Sequence, residues 1–208
     1  MALGDSITDG VGSTADANQR WTDHLAYRLL SEPGAPPRTI VNAGISGNQV
    51  TRDNVFAANG IGWGMGPSAV TRLGPDVIDR SGATDVVLFV GINDLYLPSS
   101  PDPAAAIIGG YQAVIDRARF AGLRVIGTTM TPGGLPPAKE AQRQAINDWV
   151  RRSGAFDAVV DLDAVVRDAA NPAIVNAQLA VDPVHLNDAG YAAVARAFDL
   201  RVFQGTGC

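Results

Sequence analysis

The run Asp85-Val86-Val87-Leu88-Phe89-Val90, followed by Gly91-Ile92-Asn93-Asp94, decides how this chain is read. After its first residue the run is apolar and β-branched, without polar alternation. That is the habit of a strand buried on both faces, as in parallel sheets. Residues 39–41 (Thr-Ile-Val), 124–128 (Arg-Val-Ile-Gly-Thr) and 158–161 (Ala-Val-Val-Asp) share its character, and Met1-Ala2-Leu3 can end a fifth strand. Helical stripes lie between them. One is Trp21, Leu25, Arg28 and Leu29; a second is Ile107, Tyr111, Val114, Ile115 and Ala118; a third is Ala145, Ile146, Trp149 and Val150. The last is Tyr191, Val194, Ala195, Phe198 and Val202, opened by Asn187 or Asp188 as a cap. Strands alternating with helices predict one α/β domain over residues 1–208, a five-stranded parallel sheet with helices on both faces.

Composition narrows the function. The 208 residues, 46% hydrophobic, are enough for one full core. Net charge is -5, with one lysine (Lys139) against fifteen arginines and no basic run, which argues against a nucleic-acid partner. Lys139 follows Pro136-Pro137-Ala138, so it closes no phosphate-binding loop. One cysteine (Cys208) and two histidines (His24, His185) are too few for a Cys/His zinc site, and no metal or cofactor is expected. No apolar run approaches the ~20 residues of a membrane span.

In open parallel sheets the ligand site lies beyond the carboxyl ends of the strands. The loops there are Gly4-Asp5-Ser6, Asn42-Ala43-Gly44-Ile45-Ser46-Gly47-Asn48, Gly91-Ile92-Asn93-Asp94, Thr129 to Gly134, and Asp182 to Asn187. A serine hydroxyl is a poor nucleophile until a base takes its proton. Ser6 sits where a turn after a buried strand would expose it. His24 falls mid-helix and reads as a surface or boundary residue, which leaves His185 as the base. Asp182, three residues earlier, can meet one imidazole nitrogen and leave the other for the serine. Asp188 competes for the helix cap, which frees Asp182 for that task. Acyl transfer also needs donors aimed at the developing oxyanion. The N–H groups of Ser6 and Gly47 and the Asn93 amide can converge from adjacent strand ends, although Gly47 also reads as a turn glycine and Asn93-Asp94 as an Asx turn.

Gly4-Asp5-Ser6, Gly47, Gly91-Ile92-Asn93-Asp94 and Asp182-Pro183-Val184-His185 together resemble, in order, the four blocks of the SGNH (GDSL) hydrolases. The resemblance covers essentially the whole chain. It implies a three-layer, flavodoxin-like α/β/α fold and a serine hydrolase cleaving carboxylic esters through an acyl-enzyme. Ser6 is then the nucleophile, His185 the base and Asp182 the orienting acid. The Ser6 N–H, Gly47 and Asn93 would complete the oxyanion hole. Gly44 is a rival for the second block, and Gly47 is preferred because the family pattern places it after the serine of Ile-Ser-Gly. No Gly-x-Ser-x-Gly elbow is present, unlike the standard α/β-hydrolases.

The runs Gly-Asp-Ser-Ile-Thr-Asp-Gly, Asn-Ala-Gly-Ile-Ser-Gly-Asn and Asn-Asp-Ala-Gly-Tyr look like a bacterial branch of GDSL lipases, arylesterases and xylan-esterase-like proteins. That branch often carries a β-rich domain upstream and is often exported. Because a central strand keeps only Met1-Ala2-Leu3, an upstream segment or domain is expected, with secretion if a signal peptide precedes it. The expected substrate is a small-molecule or carbohydrate ester with a short acyl group, such as O-acetyl. Thioesterase, lysophospholipase or acyltransferase activity at the same site, and a non-catalytic carbohydrate-binding module, are the alternatives. Asn59 to Pro67, glycine-rich with Trp63 and Met65, reads either as a pocket wall or as a packed surface loop. Thr131 to Pro137 reads mainly as a plain loop.

Overall fold

A computed structural model describes residues 1–53, 65–98 and 100–204. Five parallel strands stand in the order β2-β1-β3-β4-β5. They are β1 (Ala2–Gly4), β2 (Asn42–Gly44), β3 (Asp85–Phe89), β4 (Arg124–Thr128) and β5 (Ala158–Val160). This is the flavodoxin-like order, whose switch point falls between β1 and β3. The helices are α1 (Ser6–Asp9), α2 (Trp21–Ser31), α3 (Ala69–Leu73), α4 (Ile92–Tyr96), α5 (Pro103–Phe120), α6 (Pro137–Arg152), α7 (Leu162–Val166) and α8 (Asp188–Ala197). A π-turn continues α3 over Gly74–Ile78, and a 3₁₀ turn spans Leu200–Phe203. Among the described residues no helix is long and apolar enough to cross a membrane.

Strand β3 explains the three layers. Its five residues are all buried. Alternate side chains serve two separate cores, as the period of two requires. Val86 and Leu88 join Leu3, Val125, Leu73, Ile107, Tyr111, Val114 and Ile146, the side covered by α3, α5 and α6. Val87 and Phe89 join Ala2, Ile126, Trp21, Leu25, Tyr191, Val194 and Phe198, the side covered by α2 and α8. Trp21 stacks on Phe198 with ring centroids 5.5 Å apart and rings parallel within 1°. The three-residue β1 is central: Leu3 pairs with Ala43 on one side and Leu88 on the other. The Met1 amino group donates to the Asp85 carbonyl at 2.7 Å, and Val87 N–H to the Met1 carbonyl at 2.8 Å.

The strands expected at 85–90 and 124–128 lie where their buried runs put them. The edges differ. The strand expected at 39–41 forms instead at Asn42–Gly44, and Thr39, Ile40 and Val41 are exposed or half-exposed. An edge strand has a neighbour on one side only, so a β-branched run is a weaker guide to its place. Strand β5, at the other edge, stops at Val160, because Asp161 turns to cap α7 by accepting from Ala164 N–H. The final stripe is also broken. Helix α8 ends at Ala197, where the Arg28 guanidinium takes the carbonyls of Ala195 and Phe198. Phe198 stays wholly buried on an extended backbone. Asn187, not Asp188, caps α8 by accepting from Gly190 N–H at 3.0 Å. Asp188 instead holds the N–H and hydroxyl of Thr14.

Candidate active site

Ser6 begins α1 directly beyond the carboxyl end of β1. The Asp5 side chain caps this helix by accepting from Ile7 N–H at 3.0 Å. The turn requires glycine at position 4, because a Cβ there would lie 2.0 Å from the Thr8 hydroxyl and 2.7 Å from the Phe89 carbonyl. At the first position of a helix the Ser6 N–H has no intrahelical acceptor. The hydroxyl of Ser6 lies 2.9 Å from His185 Nε2, and His185 Nδ1 lies 2.7 Å from Asp182 Oδ2. An ionised carboxylate only accepts, so Nδ1 carries the proton and Nε2 of the neutral ring is the acceptor facing the serine O–H. Serine, imidazole and carboxylate therefore form one directed chain, the arrangement that proton abstraction from a serine needs.

The loop holding Asp182 and His185 is organised locally. Asp182 Oδ1 accepts from Val184 N–H at 2.8 Å and His185 N–H at 2.7 Å. The His185 carbonyl accepts from Val181 N–H at 3.0 Å. Partial burial, the largest influence on the Asp182 carboxyl, raises its pKa. The N–H groups of His185 and Val184 and the imidazole outweigh it, holding the group below the usual carboxylate range. The Asp182 side chain is 44% exposed and that of His185 21%, so this side of the site faces water. His24 lies apart on α2, half-buried, in keeping with a mid-helix boundary residue.

The other side of Ser6 is built from β2 and β3. Gly47 has φ 77°, a left-handed conformation that favours glycine, and a Cβ there would meet Met65 Cγ at 2.7 Å. Its rival Gly44 lies within β2, and its N–H is spent on the Asn42 side chain at 2.8 Å. Asn93 is in the first turn of α4, not in an Asx turn, and its amide donates to the Asn48 carbonyl at 3.0 Å. Among the described residues the second amide hydrogen meets no acceptor. The neighbouring Asp94 is buried and accepts from Val50 N–H, Thr51 N–H and the Thr51 hydroxyl. Burial raises its pKa against the pull of those donors. Asp5, also buried, is pushed up to about 7 by burial, opposed by the N–H groups of Ile7 and Gly91 and by His185.

The sequence assigns no role to Asn48, Gln49 or Arg72, and to Asp94 only that of a turn residue. Gln49 donates to the carbonyls of Asn93 and Leu97. Their one sequence signal is position: Asn48 and Gln49 follow Gly47, and Asp94 follows Asn93. Arg72 had none. Residues 59–64 of the glycine-rich segment lie outside the described residues, but Met65 packs on Gly47, and the carbonyls of Met65 and Pro67 accept from Asn48. Thr131 to Leu135 is no plain surface loop. Thr131, Pro132, Gly133 and Leu135 are buried, and the Tyr96 hydroxyl donates to the Gly133 carbonyl.

The model of the GDSL-like lipase/acylhydrolase family matches residues 2–193 of the chain. No curated protein matches it in sequence. Among solved structures, an acetyl xylan esterase shares the fold with a TM-score of 0.69 at 22% identity, covering 94% of this chain and 95% of the other. A carbohydrate acetylesterase from Sinorhizobium meliloti gives 0.65 at 16% identity, covering 94% of each chain. The aryl esterase of M. smegmatis gives 0.64 at 16% identity, covering 98% of this chain and 95% of that one.

Proposed function

We propose, from the premise that this chain belongs to the GDSL-like lipase/acylhydrolase family and is a carboxylic ester hydrolase, that it removes short acyl groups, acetyl above all, from carbohydrate hydroxyls by way of an acyl-enzyme on Ser6. The observation that carries the reading is the chain from Ser6 through His185 to Asp182, with contacts of 2.9 and 2.7 Å. Ser6 Oγ attacks the ester carbonyl carbon while His185 Nε2 takes its proton, and Asp182 stabilises the imidazolium. The carbonyl oxygen becomes an oxyanion, met by the N–H groups of Ser6 and Gly47 and the Asn93 amide. Collapse expels the alcohol, which receives the proton from His185. Water, deprotonated by the same imidazole, then attacks the acyl carbon; the second tetrahedral intermediate returns the proton to Ser6 and releases the acid.

Two features support a sugar as the alcohol. The Asp182–His185 loop is open to solvent, which leaves space for a bulky polar leaving group. On α1, the helix that Ser6 opens, Asp9 Oδ2 accepts from the exposed Ser46 hydroxyl at 2.8 Å, a polar rim suited to hydroxyl-bearing partners. Two proteins of the same fold are an acetyl xylan esterase and a carbohydrate acetylesterase. Acetate release from acetylated xylan, compared with p-nitrophenyl esters of increasing chain length, tests the specificity. Acetyl esters should be preferred, and faster turnover of long-chain esters would overturn the acyl assignment. A fluorophosphonate probe should label the protein at Ser6 and fail on Ser6→Ala. Labelling that survives the change would place the nucleophile elsewhere.

A further inference from the structure

Arg72 stands in the last turn of α3, on none of the strand-end loops, and is 2% exposed. Its guanidinium donates to the Gly4 carbonyl at 2.7 Å and to the Ala43 carbonyl at 2.7 Å. It also donates to Asn48 Oδ1 at 3.0 Å and to Asp76 at 2.9 Å. The cation thus ties together the ends of β1 and β2, the two strands that lead to Ser6 and Gly47, and grips the residue after Gly47. Asn48 is itself fully buried, and all of its polar groups are engaged. Its N–H donates to the Ile45 carbonyl at 3.0 Å, closing the turn that contains Gly47. Its amide donates to the carbonyls of Met65 and Pro67, both at 2.8 Å, and its own carbonyl receives the Asn93 amide.

We infer that Arg72 is a positioning residue for ester cleavage, acting through Asn48 to fix the Gly47 N–H and the Asn93 amide where the oxyanion forms. The inference rests on the oxyanion assignment proposed above. Donors stabilise a transition state only when they are aimed before the charge appears. One side of the Asn93 amide is set by the Asn48 carbonyl, and the Gly47 turn is closed by the Asn48 N–H, so a shift of Asn48 misaims both. Lysine cannot replace Arg72, because an ammonium lacks the planar fork that meets several acceptors in fixed directions.

The test is a double-mutant cycle on p-nitrophenyl acetate. Arg72→Lys, Arg72→Met and Asn48→Ala are each made alone and with Asn93→Ala, with circular dichroism as the folding control. Arg72→Met and Asn48→Ala should lower kcat by about ten- to a hundred-fold, the usual cost of misplaced groups, with KM within about threefold. In the Asn93→Ala background the further loss should be smaller than in the parent, because one of the two donors is already gone and only the Gly47 N–H remains to be misaimed. Arg72→Lys should fold and still lose kcat. Equal losses in both backgrounds, or a loss confined to KM, would make Arg72 a purely structural cation. If Arg72→Met does not fold, Asn48→Ala, which leaves the Arg72–Asp76 pair in place, decides by the same cycle. Full kcat in Asn93→Ala alone would remove the oxyanion assignment and this inference with it. Strong impairment of Asn93→Ala beside unimpaired Arg72 and Asn48 variants would remove only this inference.

Discussion

The two sides of Ser6 are built by opposite means. The Asp182–His185 side is a short loop whose contacts join residues two or three apart, and its carboxylate is nearly half exposed. The Gly47–Asn93 side, itself half-buried, rests on the buried Asn48, Gln49, Arg72 and Asp94 and is assembled from β1, β2, α3 and α4, with Arg72 reaching 68 residues back to Gly4. In the proposed mechanism proton transfer tolerates water nearby, because the imidazole and carboxylate are held by local geometry. Charge stabilisation gains most in a dry, preset environment, where each donor is worth more than in water. The contrast teaches that damage should travel differently on the two sides. It should stay local at the Asp182–His185 loop and spread through the network on the Gly47–Asn93 side.

The largest expected effect is common to both. Ser6→Ala should cut kcat by more than about ten-thousand-fold while leaving the fold intact; activity of a few per cent, free of contaminants, would break the comparison at its centre. Next comes Asp182→Asn. The backbone N–H groups of Val184 and His185 fix Oδ1, so the introduced amide must present hydrogens to His185 Nδ1 and impose the wrong tautomer. A loss of about a thousand-fold or more in kcat is expected, greater than for Asp182→Ala, which leaves the ring free to turn. Steady-state kinetics on both variants checks the order, and the reverse ranking would show that Asp182 is not tethered as described. Asn93→Ala should lose about a hundred- to a thousand-fold in kcat, with KM changed only a few-fold.

The smallest effect concerns stability. The Asp5 carboxyl has its folded pKa raised to about 7, so between the ordinary carboxylate value and about 7 the folded state holds a proton that the unfolded state has lost. Stability from this group therefore declines as pH rises through that window. Asp94 acts in the same direction, whereas Asp182, whose pKa is lowered, loses its contribution only as pH falls. Asp5→Asn, which keeps an acceptor for Ile7 N–H, should flatten the dependence of the urea midpoint on pH between about 4 and 7. An unchanged slope would mean that Asp5 titrates normally.

Legibility followed the same divide. That Ser6, Asp182 and His185 meet could be anticipated from the sequence, because two histidines leave few choices and a spacing of three puts acid and imidazole in one turn. The central strands β3 and β4 were legible from buried apolar runs, while β2 was displaced because an edge strand is not obliged to hide both faces. Arg72 was illegible for a physical reason. Apart from Asp76, its partners lie 24, 29 and 68 residues away, and no local pattern distinguishes a clamping arginine from a helix-terminal one. Asn187 took the cap between two adjacent candidates, since Asp188 was engaged by Thr14 across the fold.

Arg72's place on α3 sets the natural unit for engineering this enzyme. The stretch from Ala43 to Arg72 carries the Gly47 turn, the Asn48 hub, the Met65 side chain against it and the cation that grips them. A loop exchange ending before α3 would import a foreign turn while keeping the old anchor. One running from Ala43 through Arg72 would transplant turn and anchor together, and would leave partners such as the Gly4 carbonyl, Asp76, the Asn93 amide, Asp94 and the Leu97 carbonyl to be matched at the seam.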